Sequence, residues 1–313
     1  MRDRFDDIAA LATRTNKAAV LVVQQFPVVE DRGVRFPPVR ESIANLMAFV
    51  ELGTARDVAS VLECAGLFNW IAVDCDYKLP ESAAIVQTAR LRVPAEQLLF
   101  YSDNQVWFDS ALDMVQRLER GLSDKAVVLC GAGPLAASLA FTLPRIGASV
   151  IIPDSGHSPI DASIVLGASQ KRESIQASLI QRLPGKASAY DLGIGNLTVE
   201  AAELARSRGF KLYRLDNRAG ISSAMIRLLE TDNMATTLMG RAKLRHVEVV
   251  AGGLLGSAGA VIVDDIRHPT MIFGIADGKG RFKSEPLDPE DRERVEYVRS
   301  LIAHARDASS GLS

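Results

Sequence analysis

Between residues 126 and 154 the chain sets small residues and one acid at a spacing suited to phosphate and ribose chemistry. The run Ala126-Val-Val-Leu-Cys130 is apolar enough for a buried strand, and Gly131 follows where the chain must turn tightly. Gly133 lets backbone N–H groups approach an anion, and Ala136 takes the third small position, where a helix packs closely on a sheet. The N-terminus of that helix adds partial positive charge. A second apolar run, Ser149-Val-Ile-Ile, leads to Asp154, 21 residues after Gly133, where a carboxylate accepts ribose hydroxyls and repels a 2′-phosphate. The chemistry is that of a dinucleotide site, with NAD expected ahead of NADP. Its candidate contacts are Gly131, Ala132, Gly133, Pro134 and Leu135 along the turn, Asp154 and Ser155 at the ribose, and Gly167 and Ala168 at the end of the next strand. The competing reading is a glycine turn that binds nothing.

Other polar residues carry less. Asp74 and Asp76 point to one face of their strand, and either flank a polar substrate or line a wet strand end. Arg35 and Arg40 have the fork that clamps a carboxylate, although solvated arginines are commoner; Arg40 is taken as a candidate substrate contact. Asp264, Asp265 and His268 precede a proline and read as a solvated turn, so no metal is expected. His157, beside Asp154, borders the expected ribose. The three cysteines, Cys64, Cys75 and Cys130, form no Cys-x-x-Cys pair, which argues against a disulfide framework or structural zinc.

The elements that must position these residues follow from apolar periodicity. Residues 18–23 and 70–75 read as buried strands, with helical patterns near 40–52 and 55–65. A helix from Asn104 to Arg120 ends at Gly121 and places a junction near 122. Beyond Asp154 come a strand (162–166), a helix (170–183), a strand (187–194), a helix (199–207), a strand (211–215) and a helix (221–230). That alternation predicts a parallel sheet with helical crossovers. Between Asp154 and Ala162 there is no room for a helix and a third strand, so the nucleotide half is abbreviated. Residues 247–282 turn β-rich with Gly-Gly and Asp-Gly-Lys-Gly turns, which predicts a meander or arm, and a last helix starts at Asp288-Pro289. The fold class is α/β: an N-terminal α/β domain (1–122), an abbreviated Rossmann-like domain binding NAD (123–242), and a β-rich arm with a final helix (243–313). The arm's apolar runs call for a partner surface, and a homodimer is the expected one.

Three segments resemble the shikimate dehydrogenase-like group of amino-acid-dehydrogenase-like proteins. Tyr77-Lys78-Leu-Pro-Glu-Ser-Ala-Ala after a buried strand is similar to that family's lysine segment, and Tyr101-Ser102-Asp103-Asn104 to its Asn-Thr-Asp-Gly. Tyr190-Asp191-Leu-Gly-Ile-Gly-Asn196, followed by Ala219-Gly220 and Met225, is similar to its closing strand, helix and nicotinamide-side loop. The resemblance implies Lys78 and Asp103 as catalytic residues, Gly220 on the cofactor side and Met225 near substrate. Where the family carries Ser-x-Ser-Pro for a substrate carboxylate, this chain reads Arg35-Phe36-Pro37-Pro38, so shikimate itself is not the expected substrate.

A lysine and a carboxylate in a cleft suit hydride transfer at a secondary alcohol or ketone: Lys78 protonates or stabilises the alkoxide while Asp103 holds the hydroxyl. The bland alternative makes Lys78 a solvated residue and Asp103 a helix cap. The expected activity is that of an NAD(P)-dependent oxidoreductase acting on a small polar molecule. The alternatives are an amine, imine or one-carbon pterin dehydrogenase using the same cleft, or a non-catalytic dinucleotide-sensing or scaffold protein. With 36 basic against 38 acidic residues, no global field draws nucleic acid or an anionic membrane. The acidic N-terminal run gives no targeting signal, and a cytoplasmic location is the expectation.

Overall fold

The computed structural model describes residues 1–26, 33–169, 172–193, 195–215, 218–234, 239–251 and 253–310. It forms two compact units, Met1–Met225 and Ile226–Ser313. The first contains two sheets, one mixed and one wholly parallel.

The first sheet begins with α1 (Arg2–Arg14) and β1 (Ala18–Gln25), then β2 (Val34–Arg35), β3 (Arg40–Glu41), β4 (Asn45–Leu52), α2 (Val58–Leu62), β5 (Trp70–Asp74), α3 (Ser82–Arg92) and β6 (Leu98–Tyr101). Its order is β2-β4-β1-β5-β6, with β3 also on β4. The strands β4, β1, β5 and β6 run parallel, and the short β2 and β3 run antiparallel to β4. Residues 40–52, expected as a helix, are therefore strands. Leu46-Met-Ala-Phe-Val is a continuous apolar run too short for periodicity to decide, and eight register pairs with β1 decide it. One face packs Leu21, Val23, Leu46, Ala48, Val50, Ile71 and Val73 against Phe5 and Ile8 of α1, Val58 and Val61 of α2, and Ile85 and Ala89 of α3.

Helix α4 (Asp103–Glu119) leads to the second sheet: β7 (Ala126–Cys130), α5 (Pro134–Thr142), β8 (Ser149–Ile151), β9 (Ile164–Gly167), α6 (Ala177–Arg182), β10 (Ser188–Asp191), α7 (Val199–Ser207) and β11 (Lys211–Arg214), followed by α8 (Arg218–Asn233). The order β11-β10-β9-β7-β8 is parallel throughout and reverses direction between β7 and β9, the point where open α/β sheets bind ligands. The chain passes from β8 to β9 without a helix, as its shortness requires. Of the helix expected over 170–183, residues 170 and 171 lie outside the described residues, and the described part narrows to α6, because Glu173 and Ile175 spend their N–H groups on the carbonyls of Gly195 and Asn196. Ala111 and Val115 of α4 enter the core of this sheet, and the Tyr190 hydroxyl donates to Glu119 at 2.6 Å.

In the second unit β12 (Gly240–Leu244), β13 (Val247–Ala251), β14 (Val261–Val263) and β15 (Ile272–Ile275) form one sheet, with α9 (Pro289–Ser310) on it. The β13–β14 pair is parallel, so the segment is not a meander. Val247, Val249, Val261, Val263 and Ile275 pack with Val298 of α9, so the apolar runs find their covering surface within the chain. Among the described residues no helix is long and apolar enough to cross a membrane.

Candidate functional site

The face of the first sheet opposite α1–α3 is apolar for most of its length: Val20, Val22, Met47, Phe49 and Ala72 are all buried. Alternation then brings Gln24, Glu51, Asp74 and Tyr101 to this face at the carboxyl ends of the four parallel strands. Gln24 pairs with Glu51 and Asp74 with Tyr101, and the Val23–Val73 pair sets the two couples level. One polar rung thus crosses the whole sheet where its strands end, and both Lys78 and Asp103 join it.

Lys78 Nζ lies 2.5 Å from Asp103 Oδ2 and 2.8 Å from Asp74 Oδ2, with Asp76 Oδ2 at 4.0 Å. Gln24 Nε2 donates to Asp103 Oδ1 at 3.0 Å. Asp74, fully buried, accepts further from the backbone N–H groups of Gln25, Asp76 and Asp103. Gln25 donates to the carbonyls of Asp74 and Asp76 and accepts from Ser82, which fixes the loop that carries Lys78. Burial works against the charge on Lys78, but Asp103 and Asp74 outweigh it and hold its pKa above the ordinary value. Burial raises Asp74, and Asp103 adds to that against the pull of Lys78. Lys78 is therefore a paired ammonium, not a solvated side chain.

The helix cap belongs to neighbours of Asp103. Ser102 is the N-cap of α4, its Oγ accepting from Gln105 N at 3.2 Å, while Asp76 accepts from Ser102 Oγ at 2.8 Å and Asn104 N at 2.7 Å. Asp103 binds Lys78 and Gln24 instead, and Asp76, a candidate substrate contact in sequence, is occupied as a second cap.

The other end of the rung is amphoteric. Arg35, paired with Glu51 across β2 and β4, has Nη1 4.0 Å from Glu51 Oε2. The Arg218 guanidinium lies 5.9 Å from the Phe49 ring centroid. Burial raises the pKa of Glu51 against the Arg35 and Arg218 charges, with Asp103 adding. Arg40 pairs with Met47, four residues back from Glu51 on β4, so of the two arginines it is Arg35 that reaches the rung. The Tyr101 hydroxyl is buried beside Gln24 but makes no well-formed hydrogen bond among the described residues; burial, then the Asp103 and Asp74 charges, push its pKa well up against the pull of Gln24.

At the second sheet Gly131 and Gly133 have φ of 121° and 110°, and Pro134 opens α5 with no side-chain cap. A Cβ on Gly131 would lie 2.5 Å from Ser169 N, so only glycine lets the exit of β9 close over this turn. Residues 131–134 are exposed, and an uncapped helix N-terminus behind them fits a pyrophosphate. Leu135, Gly167 and Ala168 are buried in packing, with a Cβ on Gly167 meeting Asn196 at 2.6 Å. Gly220 is not in a loop but in the first turn of α8, where a Cβ would fall 1.7 Å from Ser110 Oγ; Met225 is buried further along the same helix. Ser155 is exposed after Asp154, and Asp154 itself is paired with Arg182 at 2.7 Å, which the sequence expectation of a bare carboxylate did not include. The Asp264 and Asp265 carboxylates accept backbone N–H groups of their own turn, Thr270 and Met271 for the first, Arg267 and His268 for the second.

No family model and no curated protein matches this chain. Solved structures do. A Trypanosoma brucei methylenetetrahydrofolate dehydrogenase-cyclohydrolase complexed with NADP and inhibitor is similar at a TM-score of 0.42 and 11% identity, over 75% of this chain and 94% of that one. Shikimate dehydrogenase from Aquifex aeolicus gives 0.39 and 13%, over 67% and 92%. Glutamate dehydrogenase from Thermus thermophilus gives 0.40 and 13%, over 70% of each chain. All three are dehydrogenases. The distant likeness to shikimate and amino-acid dehydrogenases seen in the sequence is found again here, and at overlaps of this size the chemistry rests on the chain's own residues.

Proposed function

We propose that this chain is a nicotinamide-dinucleotide-dependent oxidoreductase that interconverts a secondary alcohol and a ketone on a small polar substrate. The observation that carries the reading is the Lys78 ammonium, held by Asp103 and Asp74 at the carboxyl ends of β5 and β6. The exposed Gly131–Pro134 turn and the N-terminus of α5 would hold the pyrophosphate. When bound, the nicotinamide supplies or accepts the hydride.

The chain's residues then manage one proton. In reduction, Lys78 Nζ donates a proton to the carbonyl oxygen as negative charge develops there; in oxidation the neutral amine takes it back from the hydroxyl. Asp103 orients Lys78 and, with Asp74, keeps it charged at neutral pH. The Gln24 amide fixes the Asp103 carboxylate at 3.0 Å. An amine or imine reaction would be served by a neutral lysine, as alcohol oxidation is, so the double pairing of Lys78 favours the ketone-reducing direction.

The test is turnover of a panel of small hydroxy acids, oxo acids and polyols with NAD, NADP and their reduced forms. Lys78→Arg keeps the ion pairs but cannot release a proton near neutral pH, so turnover is expected to fall about 10²-fold or more while dinucleotide affinity holds. Dinucleotide binding with no turnover on any panel member would favour the sensor instead.

A further inference from the structure

Asp154 has a partner from elsewhere in the chain, Arg182. Continuing the β7–β8 register beyond Val128–Ile151 brings Asp154 level with Gly131, the place of the adenosine ribose in a dinucleotide site. Arg182, the last residue of α6, clasps the segment after β8 by three bonds. Its Nη2 meets Asp154 Oδ1 at 2.7 Å, its Nη1 donates to Asp154 O at 2.9 Å, and its Nε donates to Ser158 O at 2.8 Å. The two partners are unequal in exposure: the Arg182 side chain is 11% exposed and that of Asp154 76%. The cation is anchored beneath the loop while the carboxylate faces out.

Two consequences follow. The segment 152–163, which lacks the helix of a full nucleotide half, is pinned by α6 instead. The charge at the ribose corner also sums to zero: the Arg182 hydrogen bond, before the Gly156 N–H and the Arg182 charge itself, holds the Asp154 pKa below its ordinary value, so carboxylate and guanidinium coexist as a pair. An isolated carboxylate discriminates against a 2′-phosphate by like charge, whereas a neutral pair loses most of that discrimination. Among the described residues Arg182 keeps two N–H donors beyond its three bonds, and the exposed Ser155 hydroxyl adds a neutral one.

We infer that Arg182 is a cofactor-selecting residue, cancelling the charge of Asp154 so that this corner accepts the adenosine ribose with or without its 2′-phosphate. This rests on the dinucleotide reading above. The basic group comes from the helix after β9, 28 positions from the acid, and not from the loop that follows the acid.

The experiment is fluorescence titration of the full chain with NADH and NADPH, with no substrate present. The wild-type affinities are expected within about tenfold of each other. Arg182→Gln should weaken NADPH about tenfold or more while moving NADH less than about threefold, and Arg182→Lys, which keeps charge without the fork, should recover most of the NADPH affinity. Asp154→Asn keeps the loop's shape and should tighten NADPH selectively, so the inference stands or falls even if Arg182→Gln fails to fold. Wild-type preference for NADH beyond about 100-fold, or equal loss of both cofactors in Arg182→Gln with no selective gain in Asp154→Asn, would overturn it. Binding of neither cofactor to the wild type would bring down the dinucleotide reading itself, and this inference with it.

Discussion

Replacing Lys78 by methionine, which sequence reasoning would treat as harmless to the fold, strands the carboxylates of Asp74 and Asp103 in a buried site. Uncompensated buried charge is costly, and a loss of about 3 kcal/mol at neutral pH is expected by chemical denaturation. The folded-state pKa of Lys78 lies above the unfolded value, so its contribution is complete below the ordinary lysine pKa of about 10.4 and fades as pH rises through the folded one. The gap between wild type and Lys78→Met should therefore be constant from neutral pH to about 10 and close above it; a gap that closes already near pH 8 would mean that Lys78 is not held charged. Tyr101 gives the opposite case. Its hydroxyl is buried without a well-formed hydrogen bond among the described residues, so Tyr101→Phe should leave stability unchanged or raise it by about 1 kcal/mol, and a clear drop in melting temperature would show that Gln24 is a true partner.

Helices α4 and α8 meet at Gly220, and their approach sets where Arg218 and Asp103 stand. In a helix, alanine normally gains about 1 kcal/mol over glycine, but a Cβ here falls 1.7 Å from Ser110 Oγ, and that overlap wins. Gly220→Ala should cost about 1–3 kcal/mol by thermal melting, and adding Ser110→Ala should recover part of it, since the Ser110 Cβ stands off at 3.0 Å. The element level is also where the sequence is most and least legible. The glycine turn, α5, α7 and the missing crossover after β8 follow from local pattern alone. The strand β4 did not, because a run buried on both faces has no period, and Glu51 was lost with it. Gln24 carries a fainter signal, the step from Val-Leu-Val-Val to Gln-Gln that marks a strand end turning polar. Arg182 and Arg218 carried no local signal at all, since only the fold brings them to Asp154 and Phe49.

For the whole molecule, the expected homodimer now rests on only part of the apolar runs that suggested it, because Val261, Val263 and Ile272 are already packed with α9 in one core. Met271, Phe273 and Phe282 remain exposed on and beside β15, the last strand of this sheet, and offer an apolar face to a second copy. Light scattering is expected to show a dimer at micromolar concentration that Phe273→Lys with Phe282→Lys dissociates; a wild-type monomer would remove this surface from consideration. Asp74 has a last consequence, for mutational tolerance. One carboxylate serves Lys78 and the backbone N–H groups of Gln25, Asp76 and Asp103, four donors arriving from three places in the chain. Lengthening it to glutamate displaces both oxygens, and asparagine replaces an acceptor by a donor aimed at donors. A saturation library selected only for soluble expression, blind to any turnover, should therefore already lose nearly every variant at position 74, and so outline the reaction centre before a substrate is known.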